Sequence, residues 1–189
     1  LPDCKATGRH IMTRILNAER REPVSGETRS AVVFLHGYGA NGADLLGLAD
    51  PLGEHLPDTL FVAPDAPEAC AGAPMGFQWF PIPWIDNSMM ALHVAPRRED
   101  AVAGIVAFSG RLLSPESLKD DAVSRRPVLL VHGDVDDVVP PQSLPDAAEA
   151  LQEAGWTDVF AHIMKGTGHG IAPDGLSVAL AFMRDKLSL

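Results

Sequence analysis

The chain has 189 residues, 46% of them hydrophobic and 21% charged, enough for one well-buried core and no reason to expect two domains. A formal net charge of -10 would repel a phosphate backbone or an anionic membrane face, which argues against nucleic acid as a partner. No apolar run reaches the ~18 residues of a membrane span, and the opening LPDCKATGRHIMTR lacks the apolar stretch of a signal peptide, so a cytoplasmic protein is expected.

Residues 1–11 are polar and patternless and precede Met12. They read as a leader or as vector-derived residues, leaving 12–189 as a single domain. Thr13 to Leu16 would add an antiparallel edge strand. Short apolar runs rich in branched side chains then recur: Ala31 to Leu35, Thr59 to Ala63, Gly104 to Phe108, Val128 to Val131 and Val159 to Met164. Each is bounded by turn residues and reads as a strand, most of them buried on both faces. Helical patterns lie between them, at Asp44 to about Leu56, Met89 to Ala95, Leu144 to Ala154 and Leu176 to Leu187. The third is expected to start on Ser143 as N-cap and to stop at Gly155. The last should start on Asp174 and line up Leu176, Leu180, Met183 and Leu187 on one stripe. Continuous-run strands alternating with helices define an α/β fold, with a mostly parallel central sheet covered by helices on both faces. Cys4 and Cys70 stand in no metal-type or disulfide spacing and read as free thiols.

In an open α/β sheet the ligand crevice lies beyond the carboxyl ends of the strands, so the loops that follow each strand carry the chemistry. After the first comes His36-Gly37-Tyr38-Gly39, after the fourth His132-Gly133-Asp134-Val135-Asp136, and after the fifth Gly166-Thr167-Gly168-His169-Gly170. Glycines in the first of these let backbone N–H groups approach an oxyanion closely, although a plain strand-to-helix turn would use the same residues. Asp136 is placed to accept from an imidazole and fix its tautomer. His169, between glycines and outside any helical or strand pattern, is the best general-base candidate. His93 and His162 fall inside regular elements, where a paired structural imidazole is the simpler account. Asp134 and Asp137 read as solvated loop carboxylates, Asp44 as a helix cap, Arg97 and Arg98 as a solvated helix end. MGFQWFPIPW, residues 75–84, puts aromatic rings on a loop; Phe77, Trp79 and Phe80 could wall an acyl-chain site, or the tryptophans could simply seal the core.

An oxyanion loop, then an aspartate, then a histidine follows the chain order of α/β-hydrolases, which place a serine upstream of the acid and the base. In VVFLHGYGANGADLLGLA, FVAPDAP, FQWFPI, GIVAFSGRLL, VLLVHGDVDDVVP and KGTGHGIAPDGL the chain resembles the phospholipase/carboxylesterase family, from about residue 31 to 187. That resemblance implies a serine esterase cleaving carboxylic esters, with lysophospholipids or acyl thioesters as further substrates. Asp136 would be the acid, His169 the base and the Tyr38 N–H one oxyanion donor, with neither metal nor cofactor. A homodimer is left open.

One part of the family pattern is not in the sequence. Between the tryptophan-rich loop and the Met-Met-Ala-Leu helix, family members carry a crossover helix, the central strand and a G-x-S-x-G elbow with the nucleophile. Such an insertion needs roughly 25 to 45 residues, so an omitted segment is expected near the Ser88/Met89 junction. Ser88 itself lacks flanking glycines and reads as a helix N-cap; Ser109, in AFSGR, has one flanking glycine and reads as a strand-end residue near the site. Two other readings stay open. His36, His132, His169 and Asp136 could bind a metal as a metal-dependent hydrolase, or the chain could be a non-catalytic binding protein that lacks a nucleophile.

Overall fold

A computed structural model of the chain describes residues 15–70, 73, 75–80, 90–98 and 102–189. In chain order the elements are β1 (Ala18–Arg21), β2 (Ser30–Val33), α1 (Gly42–Leu46), α2 (Ala49–Gly53), β3 (Thr59–Pro64), β4 (Glu68–Ala69), β5 (Phe77–Gln78) and α3 (Met90–Val94), then β6 (Ile105–Phe108), α4 (Leu118–Asp121), β7 (Val128–Gly133), α5 (Ser143–Glu153), β8 (Val159–Met164) and α6 (Pro173–Lys186). Ser88, Met89 and Trp84 lie outside the described residues, as do Thr13 and Cys4.

Among the described residues the main strands form two three-stranded sheets, ordered β1-β3-β2 and β6-β7-β8. β2 runs parallel to β3, and β6, β7 and β8 are mutually parallel. β1 is antiparallel to β3, with Arg20 opposite Val62. β7 explains the second sheet. All six of its residues are buried, and they alternate between two cores. Val128 and Leu130 face Leu144, Ala147 and Leu151 of α5, whereas Leu129 and Val131 face Ala179 and Phe182 of α6. Each of the four valine and leucine side chains of β7 contributes about 1.5–3 kcal/mol when fully buried, so a strand covered on both faces is the anchor of its sheet. The apolar stripe of α6 reaches further. Leu176, Leu180 and Met183 pack against the cluster of Leu52, Leu56 and Phe61, which also takes in Val32 and Phe34. One helix therefore ties the β2–β3 half to the β7–β8 half.

Several expectations need correction. The antiparallel edge strand is Ala18–Arg21, not Thr13 to Leu16; its sequence AERR is exposed at every position, so its charges blunt an edge and no apolar run announces it. Asp44 to Leu56 is two short helices rather than one. Pro51 cannot donate to a preceding turn and is tolerated only near a helix start, which forces a second start at Ala49. Asn41 caps α1, and Asp44 returns the bond to the Asn41 N–H, so Asp44 is the partner in a capping box rather than the cap. Ser143 lies inside α5 after Gln142, and Asp174 inside α6 after Ala172; neither N-cap makes a side-chain cap bond. Burial on both faces holds for β7 alone: β2 alternates half-buried and exposed, and Val33 is 57% exposed. No further strand pairs with β2 or β6 among the described residues.

Candidate active site

The strand ends bring the loops after β7 and β8 together. Gly133 ends β7 where the loop carrying His169 crosses it: a Cβ at Gly133 would collide with the carbonyl oxygens of Thr167 and Gly168. Only glycine permits that approach. Asp134 fastens the crossing, accepting the Gly166 N–H at 2.6 Å and pairing with Lys165 Nζ at 3.3 Å, while the Val135 N–H donates to the Thr167 carbonyl at 3.2 Å. The Gly166 N–H, helped by Lys165, holds the Asp134 carboxyl below its ordinary range. Asp134 is thus a clamp, not a solvated loop residue. Nothing in the sequence distinguishes it from Asp137.

The clamp sets His169 on Asp136, with Nδ1 2.9 Å from Oδ2. Asp136 Oδ1 accepts the N–H groups of Val138 and Val139, both at 2.9 Å. Its side chain is 0% exposed and that of His169 40%. Burial would raise the Asp136 carboxyl, but the Val139 N–H, the His169 ring and the Val138 N–H outweigh it and leave the group below its ordinary value. Asp136 is therefore a carboxylate at neutral pH. An ionised oxygen can only accept, so His169 Nδ1 carries the hydrogen and Nε2 is left as the basic nitrogen. A second imidazole shares this carboxylate: His132 Nε2 lies 3.0 Å from the Val139 carbonyl oxygen and 3.3 Å from Asp136 Oδ2.

The glycine turn after β2 is held from below. His36, buried, contacts the Gly37 carbonyl through Nδ1 at 2.7 Å and accepts the Ala66 N–H at Nε2 at 2.9 Å. Trp79 Nε1 donates to the His36 carbonyl at 2.8 Å and its ring lies 5.4 Å from the imidazole, centroid to centroid. β5 completes the frame: Gly39 N–H donates to the Phe77 carbonyl and Phe77 N–H to the Ala40 carbonyl. Gly76 sits against Gly39 so closely that a Cβ would overlap the Gly39 carbonyl. Tyr38 projects from the turn, 47% exposed, and a hydrogen bond with the Cys70 thiol raises its phenol above the ordinary value. Asp65, at the end of β3, accepts the Gly42 N–H at 2.9 Å and fixes the start of α1.

His36 is accordingly a structural imidazole. Its Nδ1 gives its hydrogen to Gly37 and its Nε2 lone pair is taken by Ala66, so it has nothing to offer a metal. Among the described residues no group of three or more His, Cys, Asp or Glu is placed to hold one. Phe77, Trp79 and Phe80 are each half-buried, and Phe77 and Trp79 bond to the backbone of the glycine turn. His162 is paired as expected, with Asp174 at 2.9 Å, a bond that lowers the Asp174 carboxyl. His93 is not: its Nδ1 is buried without a partner among the described residues, and burial lowers the imidazole below its usual value. Arg97 is no solvated end, since it donates to the His93 carbonyl at 2.7 Å and to Ser117 and Asp121. Ser109 closes β6 at φ 47°, with Oγ buried and unpartnered among the described residues. Cys70 is a buried free thiol.

A parallel sheet flanked by α5 and α6, with an imidazole–carboxylate pair beyond β7 and β8 and a glycine turn beyond β2, has the architecture of the α/β-hydrolases. The chain belongs to the phospholipase/carboxylesterase family, which matches residues 19–88 and 87–187. It is similar to the solved structure of esterase PE8, 36% identical, with 90% of this chain and 98% of that one covered at a TM-score of 0.84. Acyl-protein thioesterase 2 of Zea mays shares the fold at 20% identity and a TM-score of 0.74, covering 92% of this chain and all of that one. Acyl-protein thioesterase 1 of Gibberella zeae is 33% identical over 91 residues, a match that spans 46% of this chain and 38% of the relative. No helix among the described residues is long and apolar enough to cross a membrane.

Proposed function

We propose that the protein is a serine-type carboxylic ester hydrolase acting on small acyl esters, with lysophospholipids or S-acyl thioesters within its range, working in the cytoplasm. The observation that carries the reading is the 2.9 Å bond from His169 Nδ1 to a fully buried Asp136 carboxylate. In acyl transfer, His169 Nε2 takes the proton of a serine hydroxyl as its oxygen attacks the ester carbonyl. Asp136 holds the imidazole and stabilises the imidazolium, and the Tyr38 N–H is one donor to the developing oxyanion. The imidazolium returns its proton to the leaving alcohol or thiol. Water, activated by the same nitrogen, then releases the carboxylate and restores the serine. Phe77, Trp79 and Phe80 supply the wall for the acyl chain, and no metal or cofactor enters the cycle.

The nucleophile belongs to a segment omitted between Ser88 and Met89. Two observations support this reading. The family match divides at that junction, into 19–88 and 87–187. The sheet is divided as well: β2 and β6, which end the two halves, each pair with one strand only among the described residues. The similarity to esterase PE8, at 36% identity, supports the ester class. A fluorophosphonate probe tests the whole reading. The protein should be labelled at one serine, mapped by peptide mass spectrometry, and His169→Ala should abolish labelling. A folded sample that takes up no probe would overturn the assignment in favour of a non-catalytic binding protein.

A further inference from the structure

The Asp136 carboxylate is bound by more than a catalytic dyad needs. Oδ1 is saturated by two backbone N–H groups, and Oδ2 faces two imidazoles, His169 Nδ1 at 2.9 Å and His132 Nε2 at 3.3 Å. His132 is 2% exposed and comes from the fully buried strand β7. Its Nε2 meets two groups, the Val139 carbonyl at 3.0 Å and the carboxylate, and neither can donate. Nε2 must therefore carry a hydrogen, whatever the state of Nδ1. His36, the other buried imidazole at a strand end, has the opposite arrangement, with its hydrogen on Nδ1. The tautomers of the two residues are thus fixed by different surroundings.

Val139 shows what the His132 hydrogen does. Its N–H goes to Asp136 Oδ1 and its carbonyl receives His132 Nε2–H. The loop from Asp136 to Val139 is thereby closed onto the strand from which it departs. The carboxylate cannot rotate about its Cβ–Cγ bond without giving up the Val138 and Val139 donors. The loop cannot shift without giving up His132.

We propose that His132 is a positioning residue for the Asp136–His169 pair: a buried Nε2–H donor that locks the carboxylate loop to β7 through the Val139 carbonyl and stands 3.3 Å from the oxygen that orients His169. The proposal deepens the hydrolase reading and takes from it the role of His169. The geometry of the carboxylate does not depend on turnover, so the two can fail separately.

Nitrogen-15 NMR of the imidazoles in the intact chain at neutral pH tests it. The parent should show His132 protonated at Nε2, and His169 with a downfield Nδ1–H proton protected from solvent. In His132→Leu that His169 proton should exchange about tenfold faster or broaden away, the equivalent of one lost hydrogen bond. His132→Gln, whose side-chain amide puts an N–H near the position of Nε2, should restore protection to within about twofold of the parent. A merely space-filling role predicts the reverse order, because leucine keeps the packing and loses the donor. An unchanged His169 proton in folded His132→Leu, a folded His132→Gln that fails to restore it, or a parent His132 bare at Nε2 would each overturn the proposal. Should His132→Leu not fold, the parent tautomer and the glutamine variant still decide. Fluorophosphonate labelling reports independently: a folded chain that is never labelled removes the esterase reading and leaves the His132 assignment intact.

Discussion

Replacing Asp136 in two ways separates its structural from its chemical role. Asp136→Ala removes an acceptor that is 0% exposed and receives the Val138 and Val139 N–H groups at 2.9 Å each. Val139 is buried, so no water can replace the lost oxygen; its orphaned N–H costs about 1–3 kcal/mol, and the charge-assisted bond at the more open Val138 adds about 1.5 kcal/mol. A loss of about 2.5–4.5 kcal/mol follows, overlapping the range of about 3–5 kcal/mol seen when one partner of a buried charged pair is removed. Asp136→Asn keeps Oδ1 for both N–H groups but turns an amide donor toward His169. The imidazole then accepts at Nδ1 and moves its hydrogen to Nε2, so stability falls by only about 1 kcal/mol. The chemistry suffers instead, because the nitrogen that should take the serine proton is already protonated; a fall in turnover of about 10⁴-fold is expected. Urea denaturation at constant m-value measures the first quantity, and hydrolysis of a short p-nitrophenyl acyl ester the second. An alanine variant within about 0.5 kcal/mol of the parent would refute the buried-acceptor reasoning. An asparagine variant that keeps a tenth of the activity would refute the tautomer argument.

Gly133→Ala should cost about 1–3 kcal/mol, because the new methyl meets the backbone carbonyls of Thr167 and Gly168, which cannot yield as a side chain could. It should also lift the loop that seats His169, read as loss of the downfield Nδ1–H resonance. Gly47→Ala is the control: its site is right-handed helical with nothing within 4 Å, so it should be neutral or stabilise by about 0.5–1 kcal/mol. Acid should weaken the fold through Asp134, Asp136 and Asp174, all held below the ordinary carboxylate range. The unfolded chain takes up protons first as pH falls, so their contribution is complete above about pH 4 and is lost as pH drops through their folded-state values. Urea midpoints followed downward from neutral pH should fall in two stages, a shallow one through about pH 6.5 as the unfolded chain protonates His93, whose folded imidazole is held down, and a steeper one below about pH 4; a profile with no further fall below about pH 4 would contradict the assignment of the three carboxylates.

The sequence made β7, β8, α5, α6 and the Asp136–His169 pair legible for a common reason. These elements pack against one another around β7, so their apolar periodicity and turn residues report the fold directly. The rest depends on contacts that no local pattern encodes. β1 is a strand only because β3 offers it an edge, and its AERR sequence carries the charges of an exposed edge rather than an alternation. Asp134 and Asp137 stand at equivalent-looking places in VHGDVDDVVP, yet only Asp134 meets the Gly166 N–H, because that loop crosses the end of β7 at Gly133. His36 and His132 each precede a glycine after a strand and invited a shared metal. Their ring nitrogens were committed to backbone partners that lie 30 and seven residues away in the chain.

Polar groups without partners are distributed unevenly, and the pattern bears on the dyad. Both buried side-chain atoms that find no hydrogen-bond partner among the described residues, His93 Nδ1 and Ser109 Oγ, belong to α3 and the end of β6. Val33, apolar and 57% exposed, belongs to β2. These are the elements that border the division of the sheet. By contrast the catalytic candidates stand on β7 and the loops beyond β7 and β8, where the carboxylate is fully engaged and the strand fully buried. Unmet hydrogen-bonding capacity costs stability where it occurs, so each such atom calls for a partner. A strand entering between β2 and β6 would cover Val33, and the chain leading into and out of it would pass Ser109 and α3. On the hydrolase reading the serine would then reach an acid–base pair already held by β7 and the loops beyond β7 and β8.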